Sequence, residues 1–277
     1  MRFCDEEEED MSEKAQRIIS NIGYAFIYIF LTACVVGLFY SISLLINYMS
    51  GIQKAEKDID ALRPEETIQT YPLDEDGYIM LPDKPDENFT NIYADLWEDN
   101  EDFVGWLFIP DTVIDYPVVQ TPTNEQAYIH RSFDGSYSSS GTLFCSANAS
   151  IENPSMNITI YGHHMRAGTM FGRLPNYQSE GYYQHHRYIY FTTNWWAGVY
   201  EVVGAIATDV NEGTYPYYEF TDGTEAEFYE WVENTINRTP YETNRSNIRY
   251  GDQFITLSTC NYHTSNGRYI VIARRIM

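Results

Sequence analysis

A long stretch without charge near the N-terminus constrains this chain more than any other feature. No charged residue occurs from Ile18 to Gln53, and the segment from Ile22 to Ile46 reads IGYAFIYIFLTACVVGLFYSISLLI. About 20 such residues cross a bilayer as a helix. The apolar part of a cleaved signal peptide is shorter, about 7–15 residues, and a small-residue cleavage site follows it. The length therefore predicts a retained transmembrane anchor at residues 18–50.

Charged segments lie on both sides of this predicted anchor. The tail at residues 1–17 carries an acidic run, and we expect it to be solvated and to lack regular structure. After the anchor, IQKAEKDIDALRPEE has helical spacing and stops near Pro64, because proline disfavours continuation of a helix. We therefore predict a stalk helix and linker at residues 51–90 and one folded domain at residues 91–277. Basic residues flank both ends of the anchor, so its orientation stays open at this point.

The sequence disfavours two classes of ligand. The chain has 17 Lys and Arg against 40 Asp and Glu, a formal net charge of −23, and such a surface repels the phosphates of nucleic acid. Two pairs of adjacent histidines, His163–His164 and His185–His186, lack the i, i+4 spacing of zinc-binding helices. We therefore expect no nucleic-acid partner, no metal and no cofactor.

Short apolar runs separated by turn residues dominate the chain after residue 91. Eight such runs, mostly without helices between them, are typical of a mixed or antiparallel barrel or sandwich. The runs are GWLFIP, TVIDYPVV, GTLFCSA, NITIYG, RYIYFTT, GVYEVVGAIAT, FITLST and RYIVIARR. Helices are predicted near IYADLWEDN and over TEAEFYEWVENTIN. In the second helix Phe228, Trp231, Val232 and Ile236 form an apolar stripe that is expected to pack in the core.

A cysteine ends the seventh of these runs. Strand alternation places Thr256, Ser258 and Cys260 on the more polar face of FITLSTC. Position alone leaves Cys260 as a disulfide partner, a buried packing cysteine or a nucleophile. The next run begins at Arg268 after an Asn-Gly turn signal, so pairing of the two strands would put Arg268 beside Cys260. A guanidinium there favours a thiolate and binds an oxyanion, although an ion pair with a surface carboxylate is the simpler alternative.

A nucleophilic thiol needs a partner for proton transfer, and histidine is the usual one. His163 and His164 follow Gly162 at the end of the run NITIY. Two successive residues at such a strand end point to opposite sides, so only one of these histidines is expected to face Cys260. His263, in the loop after the cysteine, is the main rival for this role.

Taken together, these residues resemble the sortases, membrane-anchored cysteine transpeptidases of Gram-positive bacteria, and specifically class B. The resemblance rests on TLSTC, the arginine that opens RYIVIA, the Gly-His pair in IYGHHM, MFGRL, and the upstream stretch NEDFVGWLFIPDTVIDYPVVQ. It covers roughly residues 91–275. It implies an eight-stranded sortase-type β-barrel, mainly β, with N-terminal helices and a long helix before the cysteine strand. TEAEFYEWVENTIN lies where that helix is expected.

The resemblance also implies roles for individual residues. Cys260 matches the nucleophile, His163 the general acid/base and Arg268 the residue that stabilises the oxyanion. The implied reaction cleaves a C-terminal sorting signal of a secreted protein after Thr and passes the resulting thioester to an amine of a peptidoglycan precursor. The backbone N–H of Asn261 is expected to help hold the oxyanion. Ser258 is expected to contact the substrate, unless its hydroxyl is satisfied by backbone groups.

The same resemblance sets the topology of the anchor. It implies a cytoplasmic tail, a single membrane crossing and an extracellular catalytic domain.

Two other functions stay open: a cysteine protease that hydrolyses the same acyl-enzyme, and a non-catalytic binding module on a membrane tether.

One further cysteine, Cys145, lies in the predicted domain. A disulfide between Cys145 and Cys260 is conceivable in an exported protein. Oxidation of Cys260 would abolish the implied chemistry, so we predict that Cys145 is a packed thiol.

Overall fold

The computed structural model describes residues 2–64, 68, 70–81, 92–261 and 264–277. The chain divides into two compact units, Met1–Lys54 and Ala55–Met277. Helix α1 (Arg2–Leu62) makes up the first unit, and its last turns open the second. The expectation of an unstructured tail is wrong, because α1 already begins at Arg2. Glu, Met, Ala and Lys, which together are frequent in this tail, are good helix formers.

One part of α1 has the properties of a membrane span. The stretch from Ser20 to Leu62 is long and apolar enough to cross a bilayer. Its large apolar side chains, including Phe26, Phe30 and Phe39, are exposed. Exposure of so much apolar surface is unfavourable in water and favourable in lipid. The end of α1 at Leu62 agrees with the predicted stop before Pro64.

Eight strands form a closed barrel in the second unit. All eight apolar runs are strands, and they follow one another around the barrel in the order β1-β2-β3-β4-β7-β8-β6-β5, with β5 pairing back to β1. The β2–β3 and β4–β7 pairs are parallel and the others antiparallel, so the barrel is mixed. The strands are β1 (Phe103–Phe108), β2 (Asp115–Val119), β3 (Leu143–Cys145), β4 (Asn157–Tyr161), β5 (Tyr188–Thr193), β6 (Ala197–Asp209), β7 (Phe254–Cys260) and β8 (Gly267–Arg275).

Among the described residues, three short α-helices accompany the barrel: α2 (Ala94–Asp99), α3 (Glu180–His185) and α4 (Glu225–Asn234). The sequence predicts α2 and α4, whereas α3 was not predicted. A capping box starts α4: the side chain of Thr224 accepts a hydrogen bond from the backbone N–H of Glu227, whose carboxylate accepts from the backbone N–H of Thr224. This reciprocal pair satisfies two of the N–H groups that a helix start leaves without partners.

Helix α4 covers the outer face of β7 and β8. The predicted stripe is buried, and its side chains pack against Phe254, Ile270 and Ile272 of the two strands. In β7 every residue from Phe254 to Thr259 is buried, so both faces of the strand are covered. Packing therefore holds β7 firmly up to Cys260, the first residue of the strand with partial exposure.

Candidate active site

Cys260 and Arg268 lie directly opposite each other at the ends of two antiparallel strands. The register of β7 and β8 pairs Cys260 with Arg268, as the sequence predicts. The connecting hairpin contains Asn266 with φ of +55°, a left-handed conformation that asparagine tolerates well. Residues directly opposite each other project to the same face of a sheet, so the thiol and the guanidinium share one face.

His163 reaches the same place from β4. The parallel β4–β7 register pairs Tyr161 with Ser258. Two hydrogen bonds continue this contact past the end of β4: the Gly162 N–H donates to the Ser258 carbonyl at 3.1 Å, and the Thr259 hydroxyl donates to the Gly162 carbonyl at 2.8 Å. His163 follows Gly162 directly and lines the same cavity as Cys260.

Gly162 makes this approach possible. A Cβ atom at position 162 would lie 2.5 Å from Cδ2 of Leu143 and 2.7 Å from the ring of Phe171, both closer than such contacts occur. Phe171 belongs to MFGRL and is fully buried, and its backbone N–H donates to the His163 carbonyl at 3.0 Å. The motif MFGRL therefore anchors the turn that carries the histidine.

The two adjacent histidines have different partners. The Nε2 atom of His163 lies 2.7 Å from the Ile129 carbonyl, whereas the Nδ1 atom of His164 lies 2.7 Å from the Cys260 carbonyl. A carbonyl only accepts, so each of these ring nitrogens is a donor. His164 thus holds the backbone of the cysteine. The rival histidine, His263, lies outside the described residues.

One cavity brings the three predicted catalytic side chains together. His163, Cys260 and Arg268 all line a cavity of 360 Å³. This volume lies within the range of about 300–1,000 Å³ that is usual for ligand-binding clefts. The remaining lining residues are Glu125, Gln126, Ile129, Thr142, Phe144, Tyr161, Gly162, Val210, Tyr217, Tyr218, Ser258 and Thr259.

The guanidinium of Arg268 keeps donors for a ligand. Its Nη1 atom donates to the backbone carbonyls of Asn266 at 3.2 Å and Gly267 at 3.0 Å. Within the described part of the chain no carboxylate forms an ion pair with it. Arginine has five N–H donors, so these local contacts fix the side chain and leave donors for an oxyanion.

The two predicted substrate-binding positions are already engaged in the structure. The Ser258 side chain is buried, and its hydroxyl lies 2.7 Å from the hydroxyl of Tyr217. The backbone N–H of Asn261 donates to the Gly267 carbonyl at 2.8 Å and so closes the hairpin. In this conformation the N–H of Asn261 is not available to an oxyanion.

Cys145 and Cys260 are both free thiols, in agreement with the predicted packed thiol. Cys145 is completely buried, and burial raises the pKa of its thiol because the thiolate would lose its hydration. Cys260 is partly exposed in the cavity. Of these two thiols only Cys260 is placed to react with a substrate.

Sequence reasoning missed several residues of the cavity. Tyr217 and Tyr218 come from the loop after β6, and Glu125 and Ile129 come from the loop between β2 and β3. The cluster of aromatic residues in TYPYY is the one signal that could have indicated the first pair. Burial raises the pKa of Tyr217 to about 12, so its phenol stays protonated and able to donate.

Comparison with known proteins identifies the family. The sortase domain family matches residues 107–276. The chain is 28% identical to Sortase B of Staphylococcus aureus (strain NCTC 8325 / PS 47) over 71% of this chain and 80% of the relative. It is 32% identical to Sortase B of Listeria monocytogenes serovar 1/2a (strain ATCC BAA-679 / EGD-e), over 60% of this chain and 66% of the relative.

A solved structure agrees with this result. The Staphylococcus aureus sortase B–substrate complex matches with a TM-score of 0.61 and 27% identity, over 67% of this chain and 84% of that chain. The family match covers more than half of the chain and includes β2 to β8, Cys260 and Arg268. The chain therefore belongs to the sortase family, as a cysteine transpeptidase of class B.

Proposed function

We propose that this sortase cleaves a C-terminal sorting signal after a threonine and joins the secreted protein to an amine of a peptidoglycan precursor. The observation that carries the proposal is the cavity shared by Cys260, Arg268 and His163. A substrate complex of the Staphylococcus aureus sortase B supports a substrate-binding role for the related barrel. Cys260 is the nucleophile, His163 the general acid/base and Arg268 the oxyanion-binding residue.

In the first step the Cys260 thiolate attacks the carbonyl carbon of the threonine. The carbonyl oxygen becomes an oxyanion, which the Arg268 guanidinium stabilises through charge and hydrogen bonds. The C–N bond then breaks, and His163 as imidazolium gives a proton to the departing amine. The products are a thioester on Cys260 and the C-terminal fragment of the signal.

In the second step an amine replaces the leaving fragment. Neutral His163 accepts a proton from the incoming amine as the amine attacks the thioester. The tetrahedral oxyanion forms again at Arg268, and its collapse releases the Cys260 thiolate and a new amide. Attack by water on the same thioester would give a protease instead.

Two further residues support this reaction. The buried hydroxyl of Ser258 contacts the phenol of Tyr217, which lines the cavity. Ser258 therefore affects the substrate by positioning Tyr217. Asn261 contributes its backbone N–H to the oxyanion only if the hairpin bond to Gly267 opens. Arg268 is therefore the principal oxyanion donor in this proposal.

The N-terminal helix sets where the reaction occurs. We propose a cytoplasmic tail at 1–17, a single membrane anchor at 18–50, a stalk and linker at 51–90 and an extracellular catalytic barrel at 91–277. The apolar stretch in α1 supports this arrangement, since it is long enough to cross a bilayer. An extracellular barrel would meet both secreted proteins and cell-wall precursors.

A peptide library tests the proposed function. The full chain in detergent is incubated with peptides that carry one threonine between randomised flanks, with and without a peptide that has a free primary amine. We expect cleavage after Thr and an amide product that grows with amine concentration, and neither in Cys260→Ala. Hydrolysis alone at every amine concentration would favour the protease, and binding without cleavage would favour the binding module.

A further inference from the structure

The loop between β2 and β3 touches His163 on two sides. The Ile129 carbonyl lies 2.7 Å from the Nε2 atom of His163, at the edge of the imidazole. The ring of His130, the next residue, stacks on the imidazole face with a centroid distance of 5.4 Å and an interplanar angle of 20°. Two consecutive residues therefore fix both the edge and the plane of the proposed general acid/base.

The edge contact determines which ring nitrogen handles protons. A backbone carbonyl has no proton to give, so the Nε2 atom of His163 must carry the hydrogen. In neutral imidazole the other nitrogen, Nδ1, is then the acceptor. The tautomer of a histidine is commonly set in this way, by the hydrogen bond that its other nitrogen makes.

The position of the Ile129 carbonyl depends on a glycine in the same loop. Gly141 has φ of +62°, and a Cβ atom there would lie 2.5 Å from the Ile129 carbonyl oxygen and 2.8 Å from that of Tyr128. The neighbouring Thr142 also binds this part of the loop, because its backbone N–H donates to the Tyr128 carbonyl at 3.1 Å. Gly141 thus lets the two arms of the loop close behind the carbonyl that meets His163.

The His130 ring is itself supported by the loop. The backbone N–H of Ser138 donates to the His130 carbonyl at 3.0 Å. The ring of Tyr137 lies 6.5 Å from the His130 ring, centroid to centroid, at a tilt of 34°. Stacked aromatic rings attract each other beyond the effect of their burial, and this attraction restricts the orientation of the ring.

We propose that Ile129 and His130 orient the general acid/base: the Ile129 carbonyl holds His163 as the Nε2–H tautomer, the His130 ring fixes its plane, and Nδ1 exchanges the proton with Cys260 and the amines. This inference rests on the proposed function for the role of His163, but the tautomer and the stacking are independent of it. Ile129 and His130 are positioning residues in this scheme, since they act through His163.

Several other titratable groups share the cavity with His163. Cys260 comes from β7, Arg268 from β8, Glu125 from the loop between β2 and β3, and Tyr161, Tyr217 and Tyr218 complete the set. Changes at Ile129 or His130 therefore need a readout that reports the His163 ring itself. Tautomer state provides one, because it does not depend on catalysis.

The first test is the tautomer of His163 in the full chain. Nitrogen NMR of isotope-labelled histidine distinguishes Nδ1–H from Nε2–H imidazole, and His163→Gln identifies the signal by its disappearance. We expect the Nε2–H form in the wild type at any pH at which the imidazole is neutral. The Nδ1–H form, or a mixture of the two, would overturn the inference even if the transpeptidation is real.

The second test displaces the Ile129 carbonyl. Gly141→Ala should reduce kcat by up to about 100-fold with a smaller change in KM, because a shift of about 1 Å in a catalytic group can cost this much. Gly135→Ala is the matched control, since Gly135 has φ of +81° in the same loop but no atom near its missing Cβ. Equal effects of the two variants on kcat would overturn the role of the carbonyl. If Gly141→Ala does not fold, the tautomer measurement still decides.

The third test separates the stacking of the His130 ring from its ring nitrogens. His130→Phe keeps a ring on the imidazole face and should retain most of kcat, whereas His130→Ala should lose about 10-fold in kcat. Loss in both variants to the same extent, or in neither, would overturn the stacking role. If the wild type transfers nothing to amines but shows the Nε2–H tautomer, the proposed function fails and the orientation of His163 stands.

Discussion

Cys260 and Arg268 form a register pair across β7 and β8, with the thiol and the guanidinium on the same face of the barrel wall. The pair depends on a hairpin that Asn266 closes with a positive φ, so it is built from one local stretch of chain. His163 comes from β4, the neighbour of β7 on the other side. The proposed nucleophile is thus flanked by a cation on one strand and an imidazole at the end of another.

Removal of the guanidinium should slow the reaction more than it weakens binding. We expect Arg268→Ala to lower kcat by about 10²- to 10³-fold, as the loss of one oxyanion donor does in other enzymes. The kcat of Arg268→Lys should lie between those of the wild type and Arg268→Ala, because an ammonium keeps the charge but not the planar arrangement of donors. Steady-state kinetics of thioester formation measures this. Arg249→Ala changes an exposed arginine before β7 and serves as control; a similar loss there would contradict the assignment.

The two adjacent histidines should respond differently to substitution. His163→Ala should abolish turnover, whereas His164→Ala should retain most of it, because His164 donates to the Cys260 backbone and does not line the cavity. His263→Ala is also expected to retain most activity. The rate of transfer to an amine is measured for each variant. Loss of activity in His164→Ala or His263→Ala, with activity retained in His163→Ala, would contradict the role of His163 in proton transfer.

The two thiols of the barrel should differ in alkylation. Cys260 is partly exposed, whereas Cys145 is buried and burial raises its pKa, so it offers almost no thiolate near neutral pH. Iodoacetamide should therefore modify Cys260 first in the folded chain. Peptide mapping by mass spectrometry measures this, with the denatured chain as the control in which both react. Equal labelling of the two in the folded chain would argue against a reactive Cys260.

Buried Glu201 should make the barrel less stable as the pH rises. Its Oε2 accepts from Asn244 at 2.9 Å, and Oε1 has no hydrogen-bond partner among the described residues. Burial raises its pKa, so the folded state keeps the proton to a higher pH than the unfolded state. The free energy of unfolding then falls once the pH passes the unfolded pKa, about 4.3, and levels off above the folded pKa.

Glu201→Gln removes this titration and gives the test. The difference in free energy of unfolding, wild type minus Glu201→Gln, should decrease from about pH 4 towards neutral pH. Denaturant unfolding followed by tryptophan fluorescence measures it, because all five tryptophans lie between residues 97 and 231. Glu242→Gln, at a side chain that is 91% exposed, should show no such trend. A difference that is constant with pH would contradict the shifted pKa.

Local features of this fold were predictable, and distant contacts were less so. The Cys260–Arg268 pair follows from two apolar runs and an Asn-Gly turn, all within one hairpin. The helix over residues 225–234 follows from its apolar stripe. The approach of His163 to Cys260 depends on parallel pairing of strands far apart in the chain, so strand patterns alone gave no register for it. There the family resemblance supplied the assignment.

Loops account for most of what the sequence did not indicate. Ile129 and His130 lie in a segment without helical or strand periodicity, and their contact with His163 depends on the turn at Gly141. Helix α3 is only six residues long, which is too short for a clear apolar period. The prediction for the N-terminal tail was wrong for another reason. Its charge suggested a solvated coil, whereas its residues are good helix formers and belong to α1, which begins at Arg2.

Intact-mass analysis of the full chain during turnover tests whether Cys260 carries the acyl group. A Thr-containing peptide selected from the library is mixed with enzyme, and the reaction is stopped in acid before and after addition of a primary amine. We predict an adduct on Cys260 with the mass of the peptide acylated through its threonine, which disappears as the amide product forms. No adduct on Cys260, or an adduct that only water discharges, would contradict transpeptidation through this cysteine.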